Sequence, residues 1–397
     1  MLRFYLLLFC GFLMLGNTPQ NKSSVKKNDP PYRMEKITNA DKVYGLSLIW
    51  KETSQHIDGY NPEYAKRWNR AYHKYLNNTL QALTLFTYYR NLQEFAALLH
   101  DGQTRVLFPE FLRKLMTCPP LQLVDIQKKA IVSNVAKEWE RKIPIGSEIT
   151  AIAGIPVTEY LEKYIIPYIS SSTEQYLWHT AIEGNRDTGI GLLRGPANSY
   201  FRLSFTTPSG EKREIRITRL RDGDHVNWVR ATPKAQLKWL DNRIAYLNYS
   251  TLVAYSGHPS QNNLQTKLSQ ANGIILDLRM RRQDCENVKS GFLNQLLSMT
   301  SSIPMAVLTD VFTSGSAEDY IITARKKRKI NVIGEPTSSD RGATRKIQLP
   351  GDAYAFVKTS KRSASQKSIL PDISVSLQHI DVIKGNDPVL EKALSSF

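Results

Sequence analysis

The strongest constraint on this chain is the alternation of apolar runs with helical patterns along its last part. Residues 243–249, 273–278, 305–308 and 331–334 read as strands, the second and third of them buried, while 262–270 and 289–299 read as helices. Strands alternating with helices specify an α/β layer. Within that layer the strand 305–308 leads into Thr313-Ser314-Gly315-Ser316-Ala317-Glu318-Asp319, and 320–324 opens a helix. Small residues at a strand-to-helix turn expose a hydroxyl, and the helix N-terminus aims backbone N–H groups at a developing oxyanion. Ser316 and Ser314 are therefore candidate nucleophiles, and Ala317 is a candidate oxyanion donor. The same residues also suit an ordinary turn in which Ser and Thr cap a helix.

Upstream, apolar residues recur at spacings of three and four: Leu46, Ile49 and Trp50, then Trp68, Tyr72 and Tyr75, then a series from Leu80 to Leu99. They place a helical domain at 19–117, its first residues, 19–33, a polar leader. His100-Asp101-Gly102-Gln103-Thr104 ends the last helix, and 105–109 follows as a strand. From 118 to 220 the pattern changes to short strands, among them 130–135, 200–205 and 213–217, with a helical insert near 158–186. The α/β layer occupies 221–397.

The first 18 residues read as an export signal: Arg3, an apolar run over 4–15, then Gly16-Asn17-Thr18. Phe9 is bulky for a lipid-attachment site at Cys10, which favours plain cleavage. Three cysteines in 397 residues make neither a disulfide framework nor a metal cluster. The net charge of +17 suits acidic partners, an anionic membrane surface or nucleic acid, or else is an inert basic surface. Export sets nucleic acid aside. The run Arg325-Lys326-Lys327-Arg328-Lys329 is read as a solvated helix end, with anionic lipid or an acidic partner as the alternative.

These segments together resemble the tail-specific, or C-terminal processing, serine peptidases, and particularly their tricorn-like branch. The resemblance is carried by Leu99-His100-Asp101-Gly102-Gln103-Thr104, by Ile145-Gly146-Ser147-Glu148-Ile149 with Ile152-Ala153-Gly154, by Leu193-Arg194-Gly195-Pro196 and by Thr207-Pro208-Ser209-Gly210. It continues in Gly273 to Arg279, Thr313 to Asp319, Gly334-Glu335-Pro336-Thr337, Pro371-Asp372-Ile373 and Gly385-Asn386-Asp387-Pro388-Val389-Leu390. It implies an α/β fold built from a helical N-terminal domain, a PDZ-like β module at 118–220 and a C-terminal α/β (ClpP/crotonase-like) peptidase domain. It also implies serine endopeptidase activity on exported polypeptides, with no metal, nucleotide or other cofactor. In a PDZ-like module a strand edge pairs with a peptide and loop N–H groups hold its terminal carboxylate. Leu121, Gln122 and Leu123, after Pro119-Pro120, are placed in that loop, the alternative being a linker.

Three departures from the family pattern all bear on catalysis. The family's nucleophile stands three residues before the glutamate matching Glu318, and here that residue is Gly315, with Ser314 and Ser316 on either side. A displacement of about 1 Å costs about a hundredfold in rate. Gln103 stands where the branch often has its histidine, and a neutral amide is no base. His100 is the alternative base, or else a helix-capping residue. The family's glycine-rich oxyanion loop is replaced by Met280-Arg281-Arg282-Gln283, which makes Met280 N–H and the Arg281 side chain the remaining donor candidates there. The sequence thus supports a serine peptidase with an altered site, or a catalytically inactive peptide-binding protein on the same scaffold.

Overall fold

The computed structural model describes residues 37–54, 62–231, 236–256, 261–279, 290–339, 341–359 and 367–397. The export-signal reading and the candidates Met280 and Arg281 fall outside these residues. The α/β layer is a six-stranded sheet in the order Lys238–Leu240, Ile244–Leu247, Gly273–Asp277, Met305–Thr309, Asn331–Gly334, Ile373–Ser374. The first pair is antiparallel and the others are parallel. Every residue of Gly273–Asp277 and of Met305–Thr309 is buried, because a parallel sheet carries helices on both faces. Side chains alternate between those faces. Ile274, Leu276, Val307 and Val332 pack with Leu252, Leu264, Phe292, Leu296 and Ile321 of the helices on one side. Ile275, Ala306, Leu308 and Ile333 pack with Val389 and Ala393 of the last helix, Pro388–Leu394, on the other.

A second sheet is antiparallel, in the order Leu121–Ile126, Lys129–Val135, Glu148–Ile152, Tyr200–Thr206, Lys212–Thr218, with Ile155–Pro156 paired to Glu148–Ile152. The helices Val157–Tyr164 and Glu174–Glu183 contribute Leu161, Trp178 and Ile182 to its core. Leu121 to Leu123 therefore begin an edge strand and do not form a loop. They pair with Val135, Asn134 and Val132 of the next strand, an outcome that the preceding prolines conceal.

The helices Asn39–Ser54, Pro62–Leu80 and Leu85–Ala97 form the first layer. Their core, with Leu46, Trp68, Tyr88 and Phe95, also takes in Val106 and the hairpin residues Leu349, Ala353, Ala355 and Val357. That hairpin, Thr344–Leu349 with Ala353–Lys358, comes from the far end of the chain. Arg90 of the helix Leu85–Ala97 is buried, caged by the rings of Phe86, Phe108 and Tyr168. It donates to the carbonyls of Thr188 and Gly189, and burial lowers its pKa to about 10.

The short helix His379–Lys384, which lies in the chain between the strand Ile373–Ser374 and the last helix, packs on the second sheet. Its Val382 packs on Val124, Ile126 and Ile131. The His379 Nε2 lies 2.6 Å from the Gly146 carbonyl, and Arg230 donates to the carbonyls of Ser133 and Ile383. At the C-terminal end of the central strand, Arg279 donates to Asp277 at 2.6 Å and to both carboxylate oxygens of Asp387 at 2.8 and 2.9 Å. Tyr246 donates its hydroxyl to Asp277 at 2.7 Å. Burial alone would raise the Asp387 carboxyl, but Arg279 and the N–H groups of Leu390 and Val389 outweigh it and hold the group below its ordinary value.

Asp277 is almost wholly buried, so Asp277→Ala, which removes one of the two carboxylates on Arg279 and the acceptor of the Tyr246 hydroxyl, is expected to lose about 2–3 kcal/mol in chemical denaturation. Asp387 is partly exposed and screened, and Asp387→Asn is expected to lose only about 1–2 kcal/mol. The folded Asp387 titrates below the unfolded group, so its contribution is complete above about pH 4 and fades as pH falls through the folded value. The stability gap between wild type and Asp387→Asn should therefore narrow below about pH 4, as read by denaturation midpoints across pH.

Candidate active site

The strand Met305–Thr309 ends in a turn closed by its own side chains. The Asp310 N–H donates to the Thr313 hydroxyl at 3.0 Å, and that hydroxyl donates to the Leu278 carbonyl at 2.9 Å. The Phe312 N–H donates to the Asp310 carboxylate at 3.0 Å. These bonds tie the ends of two adjacent parallel strands together. The chain then reverses at Gly315, whose φ of 56° and ψ of −121° precede the helix Ser316–Lys327. This is a conformation that residues with a Cβ adopt only under strain. A Cβ built on Gly315 would meet nothing within 4 Å and would enter open space.

The turn is latched from behind by residues 337–339. Ser338 donates its N–H and its hydroxyl to the Thr313 carbonyl at 3.1 and 3.2 Å. Glu318 has no exposed surface, and its carboxylate accepts from the Thr337 hydroxyl and from the Ser339 N–H. Thr337 is itself held by the backbone of Ile369.

The candidate residues fall into separate places. Ser314 and Ser316 flank Gly315, both half-buried. Ala317 is buried, and its N–H donates to the Ser314 carbonyl at 3.2 Å, so the turn itself uses this donor. Gln103 meets the segment that follows the latch: its amide donates to the Gly342 carbonyl at 3.3 Å. His100 is exposed, on a left-handed residue with a φ of 49°. It lines a different groove, with Glu94, Leu98, Ile166 and Ser171.

Leu121, Gln122 and Leu123 do meet the turn. They line a cavity of about 610 Å3 together with Phe312, Tyr176 and Thr180. Phe312 is packed edge-on by Tyr176, with centroids 5.7 Å apart, and by His179 at 5.9 Å. His179 faces Glu183 through Nδ1 at 3.3 Å and Asp125 through Nε2 at 3.6 Å. A base needs one ring nitrogen turned to the nucleophile, and both nitrogens of His179 are turned to carboxylates. The sequence reading did not single out this cluster. The spacing of His179 and Glu183, one helical turn, was available as a signal, whereas Asp125 lies on a distant strand.

The basic run divides in two. Arg325 donates to Asp372 and the Leu370 carbonyl, and Arg328 to the carbonyls of Thr300 and Ile303, while Lys326, Lys327 and Lys329 are exposed.

No family model matches the chain, and no curated protein matches it. Solved structures do. Mature CPAF matches with a TM-score of 0.59 at 12% identity, covering 89% of this chain and 96% of its own. Mature CPAF complexed with lactacystin gives 0.58 at 11%, covering 90% and 97%. The tricorn protease gives 0.45 at 13%, covering 90% of this chain and 36% of its own. The chain has the tail-specific protease fold. At such identity the match concerns the path of the backbone, and the chemistry rests on this chain's own residues.

Thr337→Val removes a donor from the buried Glu318 carboxylate. It is expected to cost about 1–3 kcal/mol and to speed amide hydrogen exchange across 313–319, as read by mass spectrometry.

Proposed function

We propose that this chain is a peptide-binding protein on a tail-specific peptidase scaffold, with a PDZ-like second sheet and a ClpP/crotonase-like α/β layer, that holds extended polypeptide without hydrolysing it. One observation carries the reading. The sharp reversal between strand and helix, where such a turn would present a nucleophile, is made by Gly315, with open space where a side chain would project. Two others support it. Gln103, which cannot take a proton from a hydroxyl, stands at the position the family resemblance gives to the base. The Ala317 N–H is engaged within the turn. The cavity shared by the edge strand Leu121–Ile126 and Phe312 supplies the binding site. The apolar run over 4–15 supports exported polypeptides as the ligands.

The second reading is a serine endopeptidase using Ser316, which opens the helix and is half-buried, with His100 as base. A fluorophosphonate probe separates the two. The wild-type protein is expected to remain unlabelled and to leave an unfolded polypeptide intact over hours. Labelling that disappears in Ser316→Ala, together with cleavage, would establish the peptidase instead. The binding itself is tested by fluorescence anisotropy with extended peptides, where saturable binding is the expected result.

A further inference from the structure

The cavity is walled by the short strand Met116–Thr117 and its continuation into the edge strand Leu121–Ile126. Arg194 and Arg221 stand on the two sides of this wall. Met116 and Thr117 pair with Pro196 and Gly195, next to Arg194. On the other side the Thr117 hydroxyl donates to the Leu220 carbonyl at 2.6 Å, and the Leu220 N–H donates to the Cys118 carbonyl at 3.0 Å, next to Arg221. Arg113 and Arg186 also line the cavity, but each has a carboxylate partner: Arg113 holds Asp187 at 2.7 Å, and Arg186 holds Asp222 at 3.2 Å.

The guanidinium groups of Arg194 and Arg221 have no carboxylate partner among the described residues, the nearby Asp224 carboxylate being held by the Arg221 backbone N–H at 2.7 Å. Arg194 donates to the Met116 carbonyl at 3.0 Å, and Arg221 donates to the Asn198 side chain at 2.9 Å. Further donors on lining residues have no acceptor among the described residues: Nε of Arg113, Nε of Arg194 and the hydroxyl of buried Thr180. Two carboxylates do line the cavity, but both are engaged. Asp222 is held by Arg186, and Glu183 faces His179 and accepts from the Asp125 N–H. The lining therefore sets four arginines against the two carboxylates of Glu183 and Asp222, a net positive charge beside the apolar surface of Leu121, Leu123 and Leu193.

We infer that the ligand is an acidic peptide segment, extended beside the strand Leu121–Ile126, with a glutamate or aspartate side chain bound between Arg194 and Arg221. This inference rests on the peptide-binding reading above. Guanidinium–carboxylate hydrogen bonds are roughly twice as strong as neutral ones, and a cavity wall screens them less than open water does.

The test uses the full chain and a fluorescein-labelled octapeptide of alternating serine and leucine in three forms: a C-terminal amide, the same amide with two internal glutamates, and the neutral sequence with a free C-terminal acid. By anisotropy the glutamate form is expected to bind about tenfold tighter than the neutral amide. Arg194→Gln and Arg221→Gln are each expected to remove most of that gain, read within each variant as the ratio of glutamate-form to neutral-amide affinity. Arg194→Gln is checked by thermal melting, because Arg194 also supports the Met116 carbonyl. Arg221 is exposed, so Arg221→Gln is read without that complication. Equal binding of the glutamate and neutral amides would overturn the inference while leaving peptide binding intact. A gain from the free acid that matches the glutamate gain would overturn it in favour of a terminal carboxylate. Failure of all three peptides to bind would overturn both this inference and the peptide-binding reading.

Discussion

The double burial of the strands Gly273–Asp277 and Met305–Thr309 governs where this molecule can present polar groups. Helices cover both faces of the sheet, so a polar side chain emerges to any purpose only at the strand ends. Both strands use their C-terminal ends in that way. One ends in Asp277 and Arg279, and the other in Asp310 and Thr313. The two ends are fastened to each other by the Thr313 hydroxyl on the Leu278 carbonyl. The Arg279–Asp387 pair then draws the last helix onto the same edge of the sheet. The turn 310–318 is consequently rigid for reasons that lie in its own side chains and its neighbours.

This explains why the α/β layer was legible in the sequence. Apolar runs such as Gly273 to Leu278 have no other stable use than as doubly covered strands, and each was read in place. The strand read over 243–249 ends earlier, at Leu247, because Asn248 accepts from the Thr251 N–H and starts a helix. A side chain that competes for backbone donors ends a strand in a way that apolar periodicity does not reveal. The hairpin Thr344–Leu349 with Ala353–Lys358 has no counterpart among the elements read from the sequence. Its first strand is mostly exposed, and its buried residues find their partners in helices some 250 residues away.

The candidate site was legible in part, and the division has a physical reason. Ser314, Gly315 and Ser316 were found because strand, turn and helix are contiguous in the chain. That the edge strand Leu121–Ile126 and Phe312 share a cavity was not visible, because a cavity is made by segments that meet only in three dimensions. The same holds for Asp125 with His179, and for Arg194 with Arg221. Placing Leu121 to Leu123 in a carboxylate-binding loop followed from the PDZ-like resemblance, yet the ladder begins at Leu121, directly after the prolines, which remove none of its donors.

Gly315 links the strain of the turn to its chemistry. The latch made by Glu318, Thr337 and Ser338 fixes the path of the chain on either side of residue 315, and that path calls for a positive φ whatever stands there. A serine would pay about 1–3 kcal/mol for this geometry, a burden that catalysis can justify. Glycine adopts it with no Cβ penalty. The turn so held sets the position of Phe312 against Tyr176 and His179. Because Phe312 is part of the cavity wall, the turn also shapes the cavity. The shape of the turn is thus accounted for by the latch behind it and by the packing of Phe312 in front of it.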